Sequence, residues 1–309
     1  MLPIAPDFLS IKYLFSMVNV EEAENNLIKL LHTKVAVRDI TLGKFAIHYI
    51  VAGKGHPLIL IHGANIGWGE WYPNIAALAK KYTVYALDLP GSGGSTRVAY
   101  RSFPMAAASV SVVDEFVTKL KLQKTHIIGH SFGGYIALKL ALLQKSYIDK
   151  VVLVNPMGFT KSIPHKQKAV AFSPLVALLK KTAMRPTRHN MHSFLMSVLH
   201  GKPVLPDEFI DYYYRNVISP SLSHPLDFMK SLTENFYIKK EIMLAMDLKK
   251  LKRPVLLLLG DKDPMTPVKP VLQHAVSSNI TIQIFHNTGH VPSLENPKKF
   301  NDIVGAFLG

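Results

Sequence analysis

Four short segments of the 309-residue chain hold the residue types that covalent chemistry at a carbonyl needs. They are His62-Gly63-Ala64-Asn65, Gly129-His130-Ser131-Phe132-Gly133-Gly134, Gly260-Asp261-Lys262-Asp263-Pro264 and His286-Asn287-Thr288-Gly289-His290. A serine hydroxyl is a weak nucleophile until a base takes its proton. An imidazole is such a base, and a carboxylate holds it in the right tautomer and stabilises the imidazolium that forms. The three types occur in the order serine, aspartate, histidine.

Ser131 sits in G-x-S-x-G, with an apolar run before it and an apolar helical pattern after it. A tight strand-to-helix turn projects such a serine outward, and close packing of that turn requires glycine on both sides. Among the histidines, His290 follows Gly289 in a loop and can reach across. His286 ends a strand and leaves little loop to reach with. His130 adjoins the serine, and neighbours on a tight turn point apart. Asp263 is favoured over Asp261 as the acid because it lies deeper in its loop, before Pro264, which biases its backbone toward an extended or turn shape. Asn155 ends the preceding strand but carries no charge, and Asp88 reads as a structural acid beside the site. Developing negative charge on a substrate oxygen needs pre-placed donors. The backbone N–H groups of Phe132 and Ala64 are the candidates, with Asn65 as a side-chain donor toward substrate and His62 as support for its loop.

These residues stand at the ends of particular elements. KVAVRDI and KFAIHYIVAG alternate apolar and polar residues, as a half-buried antiparallel pair does. PLILIHG, TVYALDLPG, THIIGHS, KVVLVNP, PVLLLLGD and ITIQIFHN are read as continuous apolar runs, which predict strands buried on both faces of a parallel sheet. WYPNIAALAKK, MAAASVSVVDEFVTKL and YIALKLALLQK are helical patterns between them, and the repetition is the signature of an α/β fold. A last helix starts with Asn296 as N-cap and Pro297 in its first turn. In such sheets ligands bind at the carboxyl ends of the strands, where all four segments fall. About a hundred residues separate VVLVNP from PVLLLLGD, far beyond an ordinary crossover of a dozen or so. The expected organisation is an N-terminal helical extension over 1–34, a core over 35–156 and 248–309, and a helical insertion over 157–247.

Composition narrows the function classes. Hydrophobic residues make up 48% and charged residues 18% of the chain, a globular balance. There is no cysteine, so disulfides, thiolate metal sites and a cysteine nucleophile are excluded. The formal charge is +15, and residues 160–253 hold 16 Lys/Arg against 7 Asp/Glu. The lysines are scattered and no nucleic-acid motif accompanies them, so nucleic acid is not an expected partner. The amino-terminal MLPIAPDFLSIKYLFSMV lacks the basic start and cleavage site of a secretory signal. It is also too broken to span a bilayer, which takes ~20 apolar residues. It reads either as a helix packed on the domain or as an interfacial helix whose Phe8, Leu9, Leu14, Phe15 and Val18 dip into lipid. The expected location is accordingly cytoplasmic or peripherally membrane-associated.

In combination the segments HGAN, LDLPGSGGS, GHSFGG, GDKDPMTP and NTGH resemble the α/β-hydrolase superfamily, in its branch with a helical cap inserted between the sixth and seventh strands. The resemblance covers about residues 35 to 309. It implies a mostly parallel eight-stranded sheet with helices on both faces. It also implies Ser131 as nucleophile, Asp263 as acid, His290 as base, Ala64 and Phe132 as oxyanion donors, and no cofactor or metal. Two features depart from it. Relatives often carry histidine where Ser92 stands, and the first 34 residues have no counterpart. A serine nucleophile excludes the alkyl-ester chemistry of haloalkane dehalogenases and epoxide hydrolases, which need a carboxylate there. What remains is acyl chemistry on a small-molecule or lipid ester. A carbon–carbon bond hydrolase of the meta-cleavage type and an inactive scaffold are the alternatives. The apolar residues of the insertion, Phe172, Leu175, Leu178, Leu179, Phe194, Leu195, Phe209, Tyr212, Tyr213 and Phe228, would mostly pack its helices while shaping an apolar pocket.

Overall fold

The computed structural model describes residues 20–100, 102–160, 187–218, 226–234, 237–275 and 279–309. Its strands are β1 (Val35–Leu42), β2 (Phe45–Ala52), β3 (His56–Ile61), β4 (Tyr82–Leu87), β5 (Thr125–His130), β6 (Ile148–Val154), a two-residue pair β7 (Thr233–Glu234) and β8 (Tyr237–Ile238), β9 (Val255–Gly260) and β10 (Ile280–Phe285). Apart from the small pair they form one eight-stranded sheet in the order β1-β2-β4-β3-β5-β6-β9-β10. β1 and β2 pair antiparallel, β2 meets β4 antiparallel, and every later pairing is parallel.

Side chains alternate between sheet faces along a strand, and here the two sets enter two separate cores. Ile59, Ile61, Ile127, Val151, Leu153, Leu257 and Leu259 face one core. There they meet α3 (Met105–Lys119), α4 (Phe132–Leu142) and α8 (Val268–His274). Leu58, Leu60, Ile128, Val152, Val154, Leu256 and Leu258 face the other, under α2 (Tyr72–Leu78) and α10 (Pro297–Leu308). β5 and β9 are buried at every position, as continuous apolar runs require. ITIQIF is different. β10 is the edge strand, its burial falls on alternate residues, and its Thr281 and Gln283 are exposed. β2 departs the other way, because it lies between β1 and β4 and is buried from Ile47 to Ile50.

α1 (Val20–Lys29) packs on α6 (Asp207–Ile218), and Leu27 of α1, Leu31 just past it, and Phe209 and Tyr213 of α6 belong to the same core. Between β6 and β9 the described residues hold α5 (Arg188–Val198), α6 and α7 (Leu226–Ser231). Leu195, Phe209, Tyr212, Tyr213 and Phe228 are buried, whereas Phe194 is exposed. Phe172, Leu175, Leu178 and Leu179 lie outside the described residues, as do Phe8, Leu9, Leu14, Phe15 and Val18 of the amino-terminal segment. No helix of the described residues is long and apolar enough to cross a membrane. A short helix α9 (Pro292–Glu295) precedes α10, whose start is capped by the Asn296 side chain accepting from Lys299 N–H.

Candidate active site

Ser131 stands between the last residue of β5 and the first of α4, with φ 50° and ψ −110°. A non-glycine residue in that region is strained, and such strain survives only where the surroundings over-determine it. Here Ser131 N–H donates to Val154 O at 2.9 Å, and Ser131 O accepts from Tyr135 N–H at 3.1 Å and Met157 N–H at 3.0 Å. The flanking glycines make the turn sterically feasible. A Cβ on Gly129 would lie 2.2 Å from Gly133 O, and one on Gly133 would lie 2.2 Å from Ile61 O. Ser131 is thereby held at the carboxyl end of β5 where α4 begins, and the N–H groups of the first turn of a helix have no intrahelical acceptor.

The two aspartates of the Gly260–Pro264 loop take different histidines. Asp263 Oδ2 lies 2.7 Å from His290 Nδ1, with both side chains buried. The other oxygen of Asp263 accepts Met265 N–H at 2.6 Å, which fixes the carboxylate plane. Asp261 Oδ2 lies 3.4 Å from His286 Nδ1, a ring that is 78% exposed. His286 does not end β10 but is the first residue past it. His290 N–H donates to Val198 O at 2.8 Å, which ties its loop to the end of α5.

Phe132 opens α4, and Ala64 stands in the loop after β3. Asn65 adopts φ 59°, and its Oδ1 lies 2.9 Å from the Tyr100 hydroxyl, which also meets Gly91 O at 2.7 Å. The Tyr100 phenol is pushed up by burial, so it stays a donor. His62 is fully buried and its pKa lowered by that burial. Its Nε2 accepts Leu89 N–H at 2.9 Å and its Nδ1 donates to Gly63 O, a neutral tautomer inferred from its partners. Asp88 accepts Trp68 N–H at 2.7 Å and Gly94 N–H at 3.0 Å. Both residues hold loops beside the site.

The family model for the alpha/beta hydrolase fold matches residues 56–297. The chain belongs to the alpha/beta hydrolase family. Among curated proteins, this hydrolase is 34% identical over 140 residues to an abhydrolase domain-containing protein of Caenorhabditis elegans, a match spanning 45% of this chain and 31% of that relative's length. It is 26% identical over 271 residues, 85% of this chain and 91% of the relative, to a 2-hydroxy-6-oxononadienedioate/2-hydroxy-6-oxononatrienedioate hydrolase of Paraburkholderia phymatum. Among solved structures it is similar to a carboxylesterase of Bacillus subtilis, with TM-score 0.75, 22% identity and coverage of 94% of this chain and 96% of that one.

Three residues of the hydrolase whose contacts spacing did not reveal brace the His290 loop. Asn155, at φ 40° just past β6, accepts Gly260 N–H at 3.0 Å through Oδ1, and its amide donates to His290 O at 2.8 Å and Gly289 O at 3.1 Å. His130 Nε2 donates to the same His290 O at 2.9 Å, and the two imidazoles pack edge-on, 4.7 Å between centroids. His130 Nδ1 lies 2.7 Å from Glu70 Oε1, and Glu70 Oε2 accepts Gly63 N–H at 2.7 Å. Burial alone would discharge His130, but the Glu70 carboxylate outweighs it and raises the pKa. A wholly buried carboxylate thus links the loop carrying Ala64 to the loop carrying His290. The only sequence signal for it was an acid among tryptophans in Trp68-Gly69-Glu70-Trp71.

Proposed function

We propose that this hydrolase cleaves carboxylic esters through an acyl-enzyme on Ser131. The observation that carries the reading is the buried Asp263–His290 pair at the carboxyl ends of the strands, where the strained Ser131 turn also emerges. In the proposed cycle His290 takes the Ser131 hydroxyl proton through Nε2 as Oγ attacks the ester carbonyl, and Asp263 stabilises the imidazolium. The carbonyl oxygen, now anionic, is met by the N–H groups of Phe132 and Ala64. The intermediate collapses, the alcohol leaves with the proton from His290, and water deprotonated by His290 then releases the acid. Asn65 would orient substrate near the oxyanion donors.

The domain reading that goes with it is a 1–34 extension, a core over 35–156 and 248–309, and a cap over 157–247 that shapes an apolar pocket. Phe228 supports this, because it packs edge-on against Phe132 at 5.1 Å and against Tyr100 at 5.5 Å. An apolar cap beside a chain of charge +15 suits medium or long acyl chains at an anionic lipid surface. A second reading, hydrolysis of a carbon–carbon bond in a vinylogous diketone by the same residues, rests on the likeness to the Paraburkholderia enzyme.

The test is labelling by a fluorophosphonate together with turnover of a chain-length series of p-nitrophenyl esters, with and without anionic liposomes. The expected result is that labelling and turnover are both lost in Ser131→Ala. Ester turnover that survives that substitution overturns the reading. Loss of a ring-fission product's absorbance, with ester turnover absent, moves it to the second.

A further inference from the structure

The amino ends of the central strands, opposite the ends that carry Ser131, hold a second group of chemistry-bearing side chains. His56 is the first residue of β3, His126 the second of β5 and Asp149 the second of β6. These three strands are neighbours and run parallel, so their amino ends lie side by side. His56 and Leu58 point to the same face, and Leu58 pairs with His126, so the two imidazoles come together, 4.2 Å between ring centroids. The β5–β6 register shifts between Thr125 and Ile127, which sets two residues, Asp149 and Lys150, against the single His126. Bulges re-aim side chains. Here Asp149 turns to the imidazoles, while Lys150, whose charge is near enough to add to burial and the neighbouring His56 in depressing the His126 pKa, is held by donating to Phe307 O at 2.9 Å and Leu308 O at 3.0 Å.

We propose that His56, His126 and Asp149 form a binding site for a divalent transition ion of the zinc class. His126 Nδ1 lies 3.6 Å and His56 Nε2 3.9 Å from Asp149 Oδ2, and one ligand atom from each of the three residues lies within 4.8 Å of the others. Neither separation is a hydrogen bond, and both ring nitrogens are buried without a hydrogen-bond partner. His126 is only 4% exposed, so its orphaned nitrogen faces this group and not solvent. The contrast with His290 and Asp263, in contact at 2.7 Å, is informative. An imidazole meant to pair with a carboxylate closes on it, whereas ligands around an ion stand apart. Tetrahedral bonds of about 2.0–2.1 Å place ligand atoms roughly 3.4 Å from one another. Binding would draw in the two His–Asp separations of 3.6 and 3.9 Å and the rest of a set that spans up to 4.8 Å, by rotation of the partly exposed His56 and Asp149.

Two imidazoles and one carboxylate suit zinc, cobalt, nickel or copper better than magnesium or calcium, which prefer all-oxygen sets. Three protein ligands leave a position for water, and the Asp149 and His56 side chains are 42% and 33% exposed. An ion here would join the amino ends of three central strands, a structural role independent of the ester chemistry.

The test titrates zinc chloride into chelator-treated, dialysed full-length protein by calorimetry, alongside His56→Gln and Asp149→Asn. Both positions are partly exposed, and circular dichroism checks that each variant is folded. One equivalent is expected to bind with Kd of about a micromolar or tighter. Affinity is expected to fall at least about tenfold in each variant. Cobalt in place of zinc is expected to show the intense visible bands of a low-coordinate site, lost in the same variants. Absence of binding in the wild type, or binding unchanged in both variants, overturns the proposal. Ester hydrolysis in the variants is expected to match the wild type.

Discussion

Asp263 with His290 and Asp261 with His286 make two aspartate–histidine pairs from the same two loops. The first closes to 2.7 Å with both side chains buried. The second stands at 3.4 Å with the imidazole 78% exposed. Against slight desolvation, hydrogen bonds from Thr288 N–H and His286 hold the Asp261 carboxyl below its usual range. An exposed pair of this kind contributes little, because water screens the charges and both side chains are free to move. A buried pair fixes a tautomer and an orientation, because no water competes for either partner. The same two residue types therefore have different uses, and depth decides between them.

The sharpest way to break this comparison is to neutralise each aspartate in turn. Asp263→Asn is expected to lower kcat for p-nitrophenyl esters by about ten-thousandfold, because an amide favours the wrong imidazole tautomer. Asp261→Asn is expected to stay within about twofold, the scale of an exposed pair. Equal losses in steady-state assays would show that the buried pair is not the working one.

Glu70→Gln is expected to fall between them, with kcat lower by about ten- to a hundredfold, the scale for residues that orient a catalytic group. Gly63 N–H keeps an acceptor in this variant while His130 loses its carboxylate. A kcat that falls with KM nearly constant supports a positioning role, and a loss confined to thermal stability argues against it.

A further histidine tests charge without catalysis. His48 lies 2.8 Å from Glu24 and 2.9 Å from Asp39, joining α1 and β1 to β2. Burial opposes its charge, yet the Glu24 hydrogen bond and the charges of Asp88 and Glu24 raise its pKa from 6.5 to about 9. A pKa raised by folding adds stability that is full below the unfolded value and is lost as pH rises through the folded one. Urea midpoints compared at about pH 6 and about pH 10 are expected to fall with rising pH in the wild type, and less steeply in His48→Gln. The smallest effect belongs to His286→Ala, expected to change neither the midpoint nor kcat by more than experimental scatter.

Much of the fold was legible because apolar runs and turn residues are local signals. THII followed by G-x-S-x-G specified a buried strand, a turn and a helix, and Ser131 adopts the strained φ that such a turn demands. Asn296 and Pro297 predicted the start of α10 for equally local reasons. ITIQIF reads as a buried strand yet lies at the edge, because a strand's place in the sheet is a property of the other strands. The contacts of Glu70 and Asn155 are hidden from the sequence for the same reason. Nothing near Trp68-Gly69-Glu70-Trp71 in the chain says that its carboxylate meets His130, sixty residues on.

The sequence by itself determined which residue types stand after which strands, and so the order serine, aspartate, histidine at the carboxyl ends of the strands. It also determined the turn at Ser131, since only glycines at 129 and 133 leave room for it. Only the tertiary structure decided which aspartate meets which histidine, which carboxylate braces the loops behind them, and that His56, His126 and Asp149 meet at the amino ends of three central strands. The reason is physical. Periodicity and turn chemistry act over a few residues, whereas burial, pairing and the fate of a charge are set by whatever the rest of the chain packs around it.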